Sequence, residues 1–503
     1  MILRIFIFFG LISSNNVFFQ VFDGYTLLSV YSDNIEEYDH KTILINNTGD
    51  TINSWIHDRG VASMSYLLED STLLYPYRVE NPSMCNGGVG GGIVLHNWFG
   101  DILWQYEFSN DMYQLHHDIS PLPNGNILVL AWERHPAFQD QESEYYGGVG
   151  RGWAEMGRIE VQNPLNQMWS EAIFEIEMIG TNEANIIWEW HLWDHLIQDI
   201  NPDFPNFGVV SNHHEVLDIN YGNVGDFDGM CGPQADWIHF NAIDYNSSQD
   251  QIVVSSRNNN EIYIIDHSTT ADEAASHSGG ISGKGGDFLY RWGNPTAYGM
   301  GSTEDQILEA QHGVNWIAQG NPGEGNLILF NNFHGDWLSM PVNDWESAVY
   351  EIEPPITANL EYQLTQEGIF GPNEPIWIAT GDFFSFFQSG AYRLPNGNTL
   401  ITVATEAKIL EISYDNQILW EYQLDSGQVI ARAQKYGLDY LFPPYTLGDT
   451  NFDNFINIQD VLIISDMILG YGYPIAPTAD FNSDWAINIL DMEVLIENIM
   501  GIH

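Results

Sequence analysis

Pro123-Asn-Gly-Asn126 recurs unchanged as Pro395-Asn-Gly-Asn398. Both copies read as hairpin turns, with Asn and Gly where the backbone needs φ > 0, and both lead into apolar strands. The same turn-then-strand pattern fits Ser71–Leu74, Pro123–Leu128, Asp250–Val254, Gly325–Leu329 and Pro395–Ile401. A second pattern, apolar residues ending in an aromatic, alternates with it: Thr51–Trp55, Gly100–Trp104, Asn185–Trp188, Gly286–Tyr290, Glu374–Trp377 and Asn416–Trp420. Helical periodicity is scarce before about residue 445. Six copies of the aromatic-ended segment predict six four-stranded blades around one axis, a β-propeller. A sandwich or a parallel β-helix is the competing arrangement. The blades exceed the ~40–45 residues of a minimal one. The excess falls between Trp188 and Asp236 and between His267 and Gln311.

The 503 residues carry 68 acidic and 14 basic side chains, a formal charge of -54, with 14% aromatics. So many aromatics exclude a disordered acidic chain. The acidity argues against nucleic-acid binding, which needs clustered Lys and Arg. An anionic ligand must find a local positive pocket, so each arginine counts. Met1 to Phe19 carries Arg4 and an apolar run from Ile5 to Ile12, too short to span a bilayer. Residues 1–20 read as a secretory signal without an Ala-x-Ala cleavage site, and no later stretch suits a membrane helix. Export to a periplasmic or extracellular location is expected. Two cysteines, Cys85 and Cys231, make no disulfide scaffold. Whether they pair is open. The propeller is expected over residues 21–443.

Residues 446–503 differ. Two helical patterns each follow an acidic loop, Asp449-Thr-Asn451-Phe-Asp453 with Asp460, and Asp480-Phe-Asn482-Ser-Asp484 with Asp491. These are oxygen positions 1, 3, 5 and 12 of a Ca²⁺ loop, with the carbonyls of Phe455 and Ala486 at position 7. A solvated acidic face would explain one copy, but not two copies in phase. Position 12 is Asp rather than Glu, and Asn454 and Trp485 replace the usual Gly at position 6. The segment resembles a type I dockerin. The resemblance implies two structural Ca²⁺ sites and docking to a cohesin-like partner. The fold class expected is therefore all-β, a six-bladed propeller followed by a small α-helical dockerin-like domain.

In a propeller the loop entering each innermost strand points at the central channel. The stretches before the turn-then-strand segments read Leu115-His116-His117-Asp118, Trp237-Ile-His239-Phe-Asn241, Gln311-His312-Gly313 and Gln388-Ser389-Gly390. The sixth blade offers Arg432, and Arg257 is expected to end the strand that His239 opens. A lone loop histidine is usually structural. Three at one repeat-equivalent position are harder to explain that way. Converging imidazoles bind a transition metal or serve as nucleophile and acid/base. Arg257 would repel a cation but suits a tetrahedral oxyanion such as sulfate or phosphate. His213, His214 and Glu215 form a second polar cluster, read as loop structure.

His117-Asp118 with Leu122-Pro-Asn-Gly-Asn126, Trp237-Ile-His239-Phe-Asn241, Ser255-Ser-Arg257-Asn, Gln311-His312-Gly and Trp188-Glu-Trp-His-Leu-Trp-Asp-His195 resemble the bacterial aryl-sulfate sulfotransferases that use no nucleotide sulfate donor. The likeness covers roughly residues 40 to 440. It implies a six-bladed propeller and ping-pong transfer from a phenolic sulfate donor to a phenol acceptor. In that reading His312 becomes a transient sulfohistidine. His239, Asn241 and Arg257 hold the sulfuryl oxygens, and His117 is the acid and later the base. His117 is preferred to His116 because it lines up with His312 and Ser389; His116 and Arg432 are assigned to substrate binding. Some members carry a short-range disulfide near the active site and an N-terminal β domain; here no cysteines are so spaced, and no room for that domain is expected. The main rival is a non-catalytic propeller that binds glycan or protein and is displayed through the dockerin. A quinone-dependent dehydrogenase would need its cofactor and Ca²⁺ in the channel, and that family's tryptophan repeats are missing. Phosphoryl transfer suits the charges but not the motifs.

Overall fold

A computed structural model describes residues 20–32, 40–138, 152–357, 361–425, 427–441, 447–451, 455–471, 477–482 and 487–501. The expected signal segment lies outside them, apart from Gln20. The chain forms six four-stranded antiparallel sheets, arranged as the blades of a propeller. Their innermost strands are Gln428–Gly437, Tyr66–Leu67, Tyr113–Pro121, Phe240–Asn246, His312–Trp316 and Gly390–Arg393. Two two-stranded sheets and short 3₁₀ turns occupy the first insertion, between the third and fourth blades.

Six apolar clusters sit between neighbouring blades rather than inside them. Leu27, Leu44 and Trp55 meet Leu67 and Leu73 across the first junction. Leu400 and Ile409 meet Leu28 and Ile430 across the last. The ring closes because Gln428–Gly437 pairs with Gly24–Ser32, so the first blade takes its innermost strand from the far end of the chain.

The aromatic-ended segments are the outermost strands, and their recurrence has a physical cause. Each aromatic donates a hydrogen bond into the next blade. Trp55 Nε1 reaches the carbonyl of Asn97 at 2.9 Å, and Trp104 Nε1 that of Glu183 at 2.8 Å. Trp188 Nε1 reaches Thr269 Oγ1 at 3.1 Å, and the Tyr290 hydroxyl the Gly371 carbonyl at 2.7 Å. Trp377 Nε1 and Trp420 Nε1 reach the carbonyls of Tyr414 and Asn47 at 2.8 and 2.7 Å. The last of these bonds crosses the closure. A large ring with one polar tip buries area and orients the neighbour at once.

Two sequence expectations need correction. Arg432 belongs to the first blade, not the sixth, because of the closure. Arg257 does not end the strand opened by His239. It follows the adjacent strand Gln251–Ser256, and its N–H donates to the His239 carbonyl at 3.1 Å across the hairpin. The open question of the cysteines is also answered. Cys85 and Cys231 form a disulfide, tying the second blade to the first insertion.

At the C-terminus two helices, Ile458–Leu469 and Ile489–Met500, pack through Val461, Ile464 and Leu495. Each begins with an Asn cap and a capping box closed by Asp460 or Asp491, and ends at a left-handed glycine, Gly470 or Gly501. No helix among the described residues is long and apolar enough to cross a membrane.

Candidate active site

The innermost strands deliver polar residues to the axis through a repeated backbone irregularity. Strand register shifts between Leu115 and Ile119, between Phe240 and Ala242, and between His312 and Asn315. His117 and His239 adopt φ of 50° and 58°, and Ala310 and Gly313 flank His312 with φ of 53° and 66°. Left-handed backbone is costly for non-glycine residues, and such bulges re-aim side chains beside functional sites. Here they turn one residue per blade inward.

His117, Asn241, His312, Ser389 and Arg432 line a void of about 10 Å³. The His239 ring lies 4.5 Å from that of His117, edge to face. His312 is held by its Nδ1, which donates to the Ala310 carbonyl at 2.9 Å and to Asn332 Oδ1 at 2.8 Å. Asn332 is itself fixed by bonds to the carbonyls of Ser385 and Gln388, at 2.8 and 3.1 Å. Both partners of Nδ1 are acceptors, so the proton sits there. Nε2 then carries the lone pair, and it makes no hydrogen bond among the described residues. Burial, then the Arg257 charge, holds His312 well below the usual imidazole range. The ring is neutral.

His239 Nδ1 makes a short bond to Asp236 Oδ2, which also accepts from Asn86 at 3.0 Å. Burial works to raise the Asp236 pKa, but the His239 charge and hydrogen bond prevail and lower it. His117 Nδ1 meets His116 Nδ1 at 2.8 Å, and His116 Nε2 meets Glu171 Oε2 at 2.9 Å. His116 stacks on Trp132 behind the void and does not line it. Burial lowers His116 to about 3 and puts His117 well below its usual value, helped by His239. Burial, then Asp236, raises Glu171 well above the carboxylate range. Gly88, with φ of 77°, lets its loop close on His117; a Cβ there would lie 2.0 Å from Nε2.

The two arginines differ. Arg432 is buried and paired with Asp118 Oδ2 at 2.5 Å, so its charge is already matched. Asp118 also accepts from the Tyr66 hydroxyl at 2.9 Å. Arg257 is half-buried and makes no ion pair among the described residues. Of these two it is the cation left for an anionic ligand. Asn241 Nδ2 donates to the Gln311 carbonyl at 2.7 Å, while its buried Oδ1 has no partner among the described residues. Beyond Arg432 lies a cavity of about 510 Å³, lined in part by Asp244, Trp316, Tyr392 and Lys435.

The structure thus gathers His117, His239, Asn241, His312 and Arg432, with Arg257 close enough to bias His312 and with His116 one layer back. Sequence reasoning missed Asn332, Asp236 and Glu171. Asn332 follows strand Leu327–Asn331 as Arg257 follows Gln251–Ser256, so the repeat itself held a signal. His213 bonds Glu215 at 2.9 Å on the exposed insertion, away from this cluster.

In the C-terminal segment Asp460 Oδ1 accepts from the N–H groups of Thr450 and Asn451, at 2.7 and 3.2 Å. Asp491 Oδ1 accepts likewise from Asn482 at 3.2 Å. Both carboxylates are buried, Asp449 is too, and Phe455 is exposed. Asp453, Asp484 and Ala486 lie outside the described residues. The donors present are all oxygen, which fits a hard cation such as Ca²⁺.

Residues 171–363 match the family model described as Arylsulfotransferase (ASST). That span contains His239, Asn241, Arg257 and His312; His117 and Arg432 fall outside it. No curated protein matches the chain. Among solved structures, a protein of unknown function from Bacteroides caccae is 11% identical with a TM-score of 0.40, covering 82% of this chain and 98% of its own. A virginiamycin B lyase from Staphylococcus aureus is 13% identical with a TM-score of 0.30, covering 79% and 84%. At this distance the likenesses assign neither fold nor activity.

Proposed function

We propose that the protein is an aryl-sulfate sulfotransferase that moves a sulfuryl group from a phenolic sulfate ester to a phenolic acceptor through a sulfohistidine on His312. The observation that carries this reading is the double anchoring of His312 Nδ1, which leaves a neutral ring at the lining of the void with its lone pair on Nε2. The match to the arylsulfotransferase family model supports the reaction class. In the first half-reaction Nε2 bonds to sulfur as the sulfur–aryloxy bond breaks, and the aryloxy oxygen takes a proton from His117 Nε2. In the second, His117 removes the acceptor's proton, and the acceptor oxygen displaces His312 from sulfur. Arg257, His239 and the Asn241 amide hold the sulfuryl oxygens as charge moves onto the departing atom. Arg432 lines the void with its charge matched by Asp118, and His116 acts from behind by ordering the His117 ring.

The Glu171–His116–His117 chain suits the acid role. With Glu171 protonated, His116 carries its proton on Nδ1 and His117 on Nε2. When His117 releases that proton, one proton shifts along each link, and the negative charge ends on Glu171 with both rings neutral. Peptide mapping of protein quenched during turnover tests the assignment. The sulfuryl adduct is expected on the peptide holding His312, and an adduct on His117 or His239 instead would overturn it.

Asp449, Asn451, Asp453, the Phe455 carbonyl and Asp460 would hold one Ca²⁺. Asp480, Asn482, Asp484, the Ala486 carbonyl and Asp491 would hold a second. Ca²⁺ would draw the loop oxygens together, and residues 446–503 would then dock a cohesin-like partner. The Cys85–Cys231 disulfide suits an oxidising compartment, in line with export to the periplasm or the exterior.

A further inference from the structure

His195, His277 and Asp287 lie outside the candidate active site, where the second insertion returns to the fourth blade. Their ligand atoms all fall within 4.8 Å of one another. His195 Nδ1 is 2.8 Å from Asp287 Oδ1, and His277 Nδ1 is 2.7 Å from the same oxygen. The second nitrogen of His195 also faces an acceptor, the Ala274 carbonyl at 2.8 Å. A neutral imidazole has one N–H, so it can satisfy only one of these two contacts. With Nε2–H donated to Ala274, a lone pair on Nδ1 faces a carboxylate oxygen across 2.8 Å.

A cation between them resolves the conflict. Metal-bound histidines commonly donate their free N–H to a backbone carbonyl, which fixes the tautomer, as Ala274 does here. The surroundings are built to hold these groups still. The His195 side chain is fully buried and lies parallel to Trp190, whose Nε1 donates to the Gly286 carbonyl at 2.7 Å. Gly286 permits the approach, since a Cβ there would lie 2.0 Å from the Ala274 oxygen and 2.6 Å from His195 Nε2. The His277 side chain, 65% exposed, leaves the open side to solvent.

We propose that His195 Nδ1, His277 Nδ1 and Asp287 bind a divalent transition metal of the zinc class, with water completing the shell. Two imidazoles and one carboxylate suit zinc and its neighbours, and suit Ca²⁺ poorly. The ion would clasp the second insertion to the end of strand Glu183–His191. This site is independent of the proposed transfer reaction.

Untagged full-length protein, stripped with chelator and dialysed, tests it by titration with Zn²⁺ and separately with Co²⁺. Metal analysis should find one equivalent more in the wild type than in His277→Ala. Cobalt should give visible d–d bands that His277→Ala and Asp287→Asn both lose. Affinity at this site should fall beyond the roughly 10–100-fold that even an outer partner is worth. His213→Ala, altering the neighbouring exposed cluster, should keep the full complement. Equal metal uptake by wild type and His277→Ala, or no uptake by wild type, would overturn the proposal. The imidazolium–carboxylate ion pair would then stand in its place.

Discussion

Asn332 Oδ1 accepts the Nδ1 proton of His312 at 2.8 Å, and through that bond the residue after the second strand of the fifth blade fixes which ring nitrogen carries the proton. Asn332→Ala removes the side-chain half of the anchor and leaves the Ala310 carbonyl. A buried hydrogen bond of this kind is worth ~1–3 kcal/mol, so kcat should fall about 10–100-fold with little change in KM. Steady-state kinetics with the folded variant checks it; a change confined to KM would place Asn332 in binding instead.

Asp236 plays the corresponding part for His239. Asp236→Asn keeps the shape but offers either an amide N–H or a weaker acceptor to Nδ1. The ring would lose the carboxylate charge that its Nδ1–H is set against, its hold on the sulfuryl oxygens would weaken, and kcat/KM should drop on the order of 10²–10³-fold. Thermal unfolding beside the kinetics separates this from a loss of fold.

The pH dependence follows from the direction of the histidine shifts. Burial pushes His312 and His117 below the ~6.5 of a free imidazole. A lowered imidazole pKa keeps the neutral form as pH falls, so the nucleophile stays competent into acid. The acid limb of kcat/KM for the donor should therefore lie well below pH ~6.5. A limb at or above that value would mean that His312 takes a proton as readily as a free imidazole, against the effect of its burial.

Glu171→Gln retains an oxygen for the Phe240 N–H, now 2.8 Å from Glu171 Oε1, but cannot store or supply a proton. Its effect should grow with the basicity of the leaving phenol. Acidic nitrophenol donors should be slowed least and unsubstituted phenyl sulfate most. A uniform loss across donors would make Glu171 a support for His116 and nothing more.

Withdrawal of Ca²⁺ should raise hydrogen exchange in the helices Ile458–Leu469 and Ile489–Met500 while transfer activity stays within about twofold. These helices carry their own small apolar cluster, and without bound cations their acidic loops repel. Loss of activity together with the ion would mean that the channel depends on it.

The repeat that predicts six blades is legible because its cause is local. Each outermost strand needs a large aromatic with a polar tip, and Trp55, Trp104, Trp188, Tyr290, Trp377 and Trp420 stand in the sequence at the spacing of the blades. The channel histidines are legible for the same reason, since they break an apolar pattern at a fixed offset from a turn. What escapes is anything made by closure or by a second strand. Arg432 reads as a sixth-blade residue because its strand joins the N-terminal blade only in space. Glu171 and Asp236 look like ordinary acids until the fold sets them behind His116 and His239. The His195–His277–Asp287 cluster is built from two separate insertions and has no spacing to betray it.

Covalent transfer through His312 is tested most directly by turnover of a chromogenic aryl sulfate with and without added phenol, beside intact mass of rapidly quenched protein. Phenol-dependent release and a mass gain of one sulfuryl group are expected, with His312→Ala folded, free of adduct and slowed on the order of 10⁴-fold or more. Unchanged turnover in His312→Ala, or release from the wild type with neither phenol dependence nor adduct, would contradict it.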